Sequence, residues 1–114
     1  VNDKYITPTY TQYFAKNVKL LLEKECWGLY NMVCDVQTSR LEVTEELLKI
    51  LGKENEIKIS VVTSDYFKDI YFAERPPNER LVNRKLNLRN VNLMRDWKVA
   101  LKEYIENYYQ GYLS

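Results

Sequence analysis

The chain has 114 residues, of which 46% are hydrophobic, enough for one compact domain and too few for two ordinary ones. Its 17 Lys and Arg residues nearly balance 16 Asp and Glu residues, so the formal charge of +1 gives no strong positive field for binding a nucleic-acid backbone. Histidine is absent, which excludes Ser-His-Asp and Cys-His catalysis and removes the commonest metal ligand.

The sequence also indicates the cellular compartment in which the chain is expected. No window approaches the roughly 18 apolar residues of a membrane-spanning helix, and no signal peptide is visible. Cys26 and Cys34 flank an apolar run that separates them too widely for one disulfide, so we interpret both as buried thiols in a reducing compartment. We therefore expect a soluble, cytoplasmic protein. Because the first residue is Val1, we also expect a fragment of a longer one.

The first part of the chain predicts one helix and one strand. Thr7 is the expected N-cap and Pro8 the first-turn residue of a helix that ends at about Glu25. The apolar residues that support it recur at three- and four-residue spacings: Tyr10, Phe14, Val18, Leu21 and Leu22. After Gly28, the run from Leu29 to Cys34 is short and apolar, as in a buried strand.

A second helix and a second strand follow. Ser39 and Glu42 are spaced as a capping box, which predicts a helix from there through Leu51, with Gly52 as its C-terminal cap. From Glu56 to Thr63 apolar and polar residues alternate, which is typical of a half-exposed strand.

The last third of the chain is irregular before it becomes helical again. A single helical turn is predicted after Ser64 or Asp65, and Leu81 and Val82 form a short extended piece. Asn83 is placed to cap a short helix over Arg84 to Leu88. A final helix begins near Met94, and its apolar stripe consists of Trp97, Leu101, Tyr104, Ile105 and Tyr108.

This order of elements predicts an α/β unit in which helices pack on a few short strands. So few strands leave the sheet edges poorly covered, so we expect residues 1–114 to form a single lobe that packs on something larger. A Gly-x-Gly-x-x-Gly dinucleotide loop is absent, and no Tyr is followed four residues later by Lys. The chain therefore has no predicted catalytic, cofactor-binding or metal-binding residue.

Two groups of side chains are candidates for binding. Tyr10, Tyr13, Tyr66 and Tyr71 lie near turns, where they either border a cleft or simply pack, whereas Tyr30, Tyr104, Tyr108 and Trp97 are interpreted as core residues. Arg75 begins the densest basic segment, on a rigid Arg-Pro-Pro turn that suits capture of phosphate oxygens. The alternative is a solvated loop whose charges pair with Glu74 and Glu79.

Several segments together resemble the C-terminal substrate-binding lobe of the dTDP-4-dehydrorhamnose reductases, which are extended short-chain dehydrogenases. The similar segments are Pro8-Thr9-Tyr10 with Ala15, Gly28-Leu29-Tyr30, the Arg75–Leu86 segment RPPNERLVNRKL and the Trp97–Leu101 segment. The third is similar to the family's Arg-Pro-x-x-Ser-x-Leu-x-x-x-Lys-Leu signature. Glu79 stands where the family usually has Ser, and Val82 where it often has Asp, which leaves the exact nucleotide sugar open.

The resemblance implies a parent enzyme that reduces a nucleotide-linked 4-keto-6-deoxy sugar with NAD(P)H. The cofactor and a Tyr/Lys pair would then belong to an N-terminal Rossmann domain, and this lobe would contribute Arg75 and Tyr10 as substrate-binding residues. A homodimer is also compatible with the resemblance, and neither nucleic acid nor a membrane is expected as a partner. Two alternatives stay open: a lobe of a related UDP- or GDP-sugar epimerase or reductase, and a non-enzymatic regulatory or interaction module.

Overall fold

A computed structural model describes residues 2–67, 69–70, 73 and 75–109 of the chain. Its regular elements, in chain order, are β1 (Tyr5–Ile6), α1 (Thr11–Glu23), β2 (Thr38–Ser39), α2 (Arg40–Leu51), a 3-10 turn (Ser64–Phe67), β3 (Asn78–Glu79), α3 (Arg84–Leu88) and α4 (Trp97–Tyr108). The predicted class is confirmed, because helices pack on a few short strands. No helix of the described part is long and apolar enough to span a membrane.

The helix α1 forms in the predicted part of the chain, but it begins at Thr11, three residues after the predicted first-turn residue Pro8, and its cap differs. Tyr10 occupies the N-cap position without a side-chain cap bond, and the helix ends at Glu23, two residues earlier than expected. The hydroxyl of Thr7, the expected cap, instead accepts a hydrogen bond of 3.0 Å from the amide of Leu81. Thr7 therefore joins two distant segments of the chain.

The predicted strand from Leu29 to Cys34 is wrong. Its backbone bonds go to partners other than a neighbouring strand: the Cys34 amide donates to the Pro8 carbonyl at 2.8 Å, and Val33 pairs with the side chain of Asn83. An apolar run can be buried by packing alone, so its composition did not distinguish a strand from a buried irregular segment.

The helix α2 forms at the predicted place. Ser39 accepts the Glu42 amide at 3.3 Å, and Gly52 adopts the left-handed conformation, with φ of 70°, that ends many helices. The carboxylate of Glu42 accepts a bond from the hydroxyl of Thr38 at 3.0 Å, so the reciprocal half of the expected capping box is used by a different donor.

The second predicted strand, Glu56 to Thr63, is also wrong. Ile57 and Val61 are 45% and 54% exposed, so the alternating apolar residues do not face a core. The expected helical turn is present as the 3-10 turn that begins at Ser64, where Asp3 accepts bonds from both the amide and the hydroxyl of Ser64.

Each of the three strands of the sheet is only two residues long, and the sequence pattern predicted none of them. The strand β1 is central, antiparallel to β2 and parallel to β3, and Tyr5 lies opposite Ser39 on one side and Asn78 on the other. Leu81 and Val82, predicted to be extended, follow β3 without joining the sheet. The sheet thus brings the start of the chain against the segment around residue 78.

The core lies between α1, α3 and α4. Leu86 of α3 is fully buried, and Trp97 and Ala100 of α4 pack in the same cluster with Tyr13 and Leu21 of α1. The predicted core position of Trp97 is confirmed. Ile105 of the predicted stripe is also buried, whereas Tyr104 and Tyr108 on the same helix are exposed, so their interpretation as core residues is wrong.

Candidate functional site

A cleft of about 460 Å³ opens where three segments of the chain meet. Its walls are formed by Thr7, residues 33–37, residues 78 and 80–83, and Asn87. These positions belong to the loop before α1, the segment before β2, and the connection from β3 to α3. The cleft is therefore assembled from parts of the chain that are more than 70 residues apart in sequence.

Hydrogen bonds fix the three walls to one another. The Pro8 carbonyl accepts from Cys34, Thr7 accepts from Leu81, and the Asn83 amide group joins the third segment to Val33. Because each segment is tied to the other two, the cleft is held open without a continuous sheet beneath it.

Arg80 is the cation of this cleft. Its Nε donates to Oδ1 of Asn78 at 2.7 Å, and its Cζ lies 5.5 Å from the centre of the Tyr5 ring, a distance at which a guanidinium is attracted to the ring face. Its backbone amide donates to the same Asn78 oxygen at 3.0 Å. None of the ion pairs among the described residues involves Arg80.

Asp35 is an acidic residue among those that line the cleft. Burial, and then the charge of Asp96, raise the pKa of Asp35 above its ordinary value. The two residues are brought together because Asp35 and Asp96 form a parallel bridge, in which the Asp35 amide donates to Arg95 and the Asp35 carbonyl accepts from Trp97. Since Asp96 also caps α4, its carboxylate is fixed near Asp35.

The remaining cleft surface combines apolar groups with amides. Val36, Leu81 and Val82 are exposed, and the side chains of Gln37 and Asn87 supply donors and acceptors. A cleft with one cation, exposed apolar side chains and several amides suits a ligand that carries an anionic group beside an apolar or neutral polar face.

A larger groove of about 660 Å³ lies between α2, residues 54–59 and the start of α4. Four glutamates and three lysines line it, together with Leu48 and Trp97 from the core. Its charges nearly cancel. No group of three or more His, Cys, Asp or Glu side chains within the described ranges is placed to hold a metal ion.

The structure puts Tyr10 in the core rather than on the wall of the cleft. Its side chain is 7% exposed, with ring centres 4.8 Å from Tyr13 and 6.0 Å from Tyr104 in edge-on arrangements. Burial, and then the nearby charge of Glu103, raise the pKa of Tyr10. Burial is also the main reason that the pKa of Tyr13 rises to about 12, with Glu103 adding to the effect.

Arg75 occupies a different place from Tyr10. It is exposed, and its carbonyl accepts a hydrogen bond of 2.6 Å from the Lys4 ammonium group, which sets a second cation beside it. Tyr66, another cleft candidate, is exposed and contacts Phe67. Tyr71 and Glu74 lie outside the described residues.

The two cysteines differ in environment. Cys34 is buried, and loss of hydration raises the pKa of its thiol, whereas Cys26 is only partly buried. Both are free thiols, which agrees with the prediction that they do not form a disulfide.

Comparison with known protein families identifies the chain. The model of a family described as the RmlD substrate binding domain matches residues 1–110. The chain belongs to this family. The RmlD-like resemblance recognised in the Pro8–Tyr10 and Arg75–Leu86 segments is thereby confirmed.

A solved structure supports the same assignment. The chain is similar to a dTDP-4-dehydrorhamnose reductase, an RfbD ortholog from Clostridium acetobutylicum, with 29% sequence identity and a TM-score of 0.85. The match covers 93% of this chain and 36% of that one, so this RmlD-family chain spans about a third of the length of its structural relative. The comparison with curated proteins gives no significant match.

Sequence reasoning about this RmlD-family domain missed Arg80 and Asp35. Arg80 was visible as part of the basic segment that begins at Arg75, but nothing local distinguishes it from its basic neighbours. Its distinction is the position of Tyr5 and Asn78, which depends on the pairing of β1 with β3.

Proposed function

We propose that this domain forms the sugar-nucleotide-binding part of an enzyme that reduces a nucleotide-linked 4-keto-6-deoxy sugar with NAD(P)H. The observation that carries the proposal is the family match over residues 1–110, which coincides with a cleft containing Arg80, amide side chains and exposed apolar groups. A dTDP-linked sugar is the first substrate to test, because the structural relative is a dTDP-4-dehydrorhamnose reductase.

The residues of this chain do not fit the cofactor itself. Its glycines, Gly28, Gly52 and Gly111, are too far apart for a glycine-rich dinucleotide loop. The proposal therefore assigns NAD(P)H, the hydride transfer and the protonating side chain to an N-terminal Rossmann domain of the same protein. This domain would bind and orient the sugar nucleotide against that cofactor, in the cytoplasm, and a homodimer is compatible with this arrangement.

Arg75 and Tyr10 stay predictions as substrate-binding residues. Charge and a rigid turn support Arg75, and the position of Tyr10 at the start of α1, three residues after the cleft residue Thr7, supports an influence on the cleft. Arg75→Ala in the full-length protein is expected to weaken substrate binding, with Arg75→Lys as the matched variant that keeps the charge. Unchanged KM and kcat in Arg75→Ala would remove Arg75 from the site.

The function is tested by adding a dTDP-linked 4-keto-6-deoxy sugar to the full-length protein and following oxidation of NADH and of NADPH. Substrate-dependent oxidation supports the proposal, and the UDP- and GDP-linked analogues report which nucleotide is preferred. If all nucleotide sugars fail to bind and to react, the reductase proposal is wrong.

A non-enzymatic interaction module is the second candidate, and a specific observation favours it. Trp27 and Leu29 are 64% and 89% exposed, in the segment between α1 and the buried run before β2. Large exposed apolar side chains are typical of surfaces that contact another protein. Self-association that is abolished by Trp27→Ser and Leu29→Ser, in a protein that binds no nucleotide sugar, would favour this candidate.

A further inference from the structure

We infer that the Arg80 guanidinium holds a phosphate group of the ligand in the cleft beside β3. This inference rests on the proposed function, because it names a residue through which a sugar nucleotide would be bound. Arg80 differs from its basic neighbours in how its side chain is held, by Asn78 and beside the Tyr5 ring.

The first step is the orientation of the side chain. Oδ1 of Asn78 accepts from Nε of Arg80 at 2.7 Å and from its backbone amide at 3.0 Å, so one oxygen fixes both ends of the residue. On the other side the Tyr5 ring lies 5.5 Å from Cζ. With Nε already bonded, the donors that remain are on the two terminal nitrogens, which is the side that binds phosphate in a forked arrangement.

The second step is the rigidity of the support. Tyr5 and Asn78 are directly opposite in the parallel pairing of β1 with β3. Leu81, the residue that follows Arg80, donates its amide to the Thr7 hydroxyl at 3.0 Å. The backbone is therefore fixed on both sides of Arg80. A cation that is already oriented loses less conformational entropy when it binds an anion than a freely moving side chain does.

The third step is the chemistry of the surrounding walls. Arg80 is the cation among the residues that line the cleft, and Asp35 is the acid. Exposed Val36, Leu81 and Val82 lie close by, so an anion at Arg80 would be attached to a group with an apolar face. Inorganic phosphate supplies the anion but no apolar face, whereas a nucleoside diphosphate supplies both.

The test measures binding of thymidine diphosphate, thymidine and inorganic pyrophosphate to the full-length protein by calorimetry, at low and at high salt. Arg80→Gln removes the charge, Arg80→Lys keeps the charge without the fork, and Arg84→Gln is the matched control, an exposed arginine on α3 outside the cleft lining. Arg80→Gln is expected to weaken thymidine diphosphate binding about tenfold or more and to flatten its salt dependence. Arg80→Lys should fall between, and Arg84→Gln should match the unchanged protein.

The outcomes separate this inference from the proposed function. Tight binding of thymidine diphosphate that is the same in Arg80→Gln overturns the inference and leaves the proposed function standing. Failure of the unchanged protein to bind thymidine diphosphate and every sugar nucleotide tested overturns both. Equal losses for thymidine diphosphate and pyrophosphate in Arg80→Gln, with thymidine unaffected, support a phosphate contact.

A second variant guards against a folding defect. If the urea midpoint of Arg80→Gln is lowered, Asn78→Ala provides the comparison, because it removes the oxygen that orients Arg80 and keeps the charge. A threefold or greater loss of affinity in Asn78→Ala at an unchanged midpoint would support an oriented guanidinium. No loss in that variant would overturn the claim that Asn78 prepares Arg80 for the anion.

Discussion

The side-chain amide of Asn83 pairs with both backbone groups of Val33, as a neighbouring strand would. The Val33 amide donates to Oδ1 of Asn83 at 2.9 Å, and Nδ2 of Asn83 donates to the Val33 carbonyl at 2.6 Å. Both residues are buried. This pair fixes the end of the 29–34 segment beside the cleft although that segment forms no strand.

Asn83→Ala is expected to lower the free energy of unfolding by about 2 to 4 kcal/mol, because it leaves the buried amide and carbonyl of Val33 without partners. Urea denaturation measures this change. Asn87→Ala is the matched control, since the Asn87 side chain is exposed and its hydrogen-bond partner among the described residues is Asn92. A similar loss in both variants would contradict the special role of Asn83.

The two tryptophans have opposite environments and predict opposite outcomes. Trp97 is 3% exposed in the core, whereas Trp27 is 64% exposed. Trp97→Ala is expected to cost about 3 to 5 kcal/mol of stability because it empties a large volume in the core. Trp27→Ala should change stability by less than about 0.5 kcal/mol in the isolated protein.

Trp97→Phe refines this prediction. The indole N–H of Trp97 has no hydrogen-bond partner in the described part of the chain, so Phe loses volume but no hydrogen bond. We expect a loss clearly smaller than that of Trp97→Ala. Urea denaturation followed by circular dichroism avoids reliance on tryptophan fluorescence, which these substitutions alter. Equal losses for Phe and Ala would indicate a missing polar contact.

Tyr13 predicts a loss of stability at alkaline pH. Its folded-state pKa of about 12 exceeds the ordinary value of 10.0, so its neutral phenol favours the folded state. That contribution is complete below 10.0 and is lost as the pH rises towards about 12. The free energy of unfolding of Tyr13→Phe should therefore fall less steeply with pH across this window. Tyr66→Phe, at an exposed position, should follow the unchanged protein, and a parallel course of all three would contradict the prediction.

Asp35 is harder to ionise in the folded state, so we expect its contribution to stability to depend on pH. Its pKa is raised above 3.8 by burial and by Asp96, so the stabilising contribution of the protonated form is complete below 3.8 and is lost as the pH rises through the folded-state pKa. Asp35→Asn should raise the urea midpoint at neutral pH and not below 3.8. Asp69→Asn, at an exposed site, should leave the midpoint unchanged.

The helices could be predicted from the sequence because their signals are local. Ser39 and Gly52 bound α2 by side-chain capping and by a left-handed backbone, and both effects involve residues within a few positions. The positions of α3 and α4 follow from similar short-range signals. The family resemblance in the Arg75–Leu86 segment also depends on the order of residues along the chain, and the family match confirms it.

The strands could not be predicted, because each is only two residues long and carries no alternation. The two longer segments that were predicted as strands, residues 29–34 and 56–63, form no strand. The pairing of β1 with β3 joins residues more than 70 positions apart, and no local pattern specifies such a contact.

The sequence by itself determined the approximate positions of the helices and the family, because both depend on residue type and short spacing. Only the tertiary structure decided that Tyr10 lies in the core and that Arg80 is held in a cleft by Asn78 and Tyr5. The physical reason is that a binding site depends on the relative positions of distant side chains. Those positions follow from long-range packing and hydrogen bonds such as those of Asn83 and Thr7.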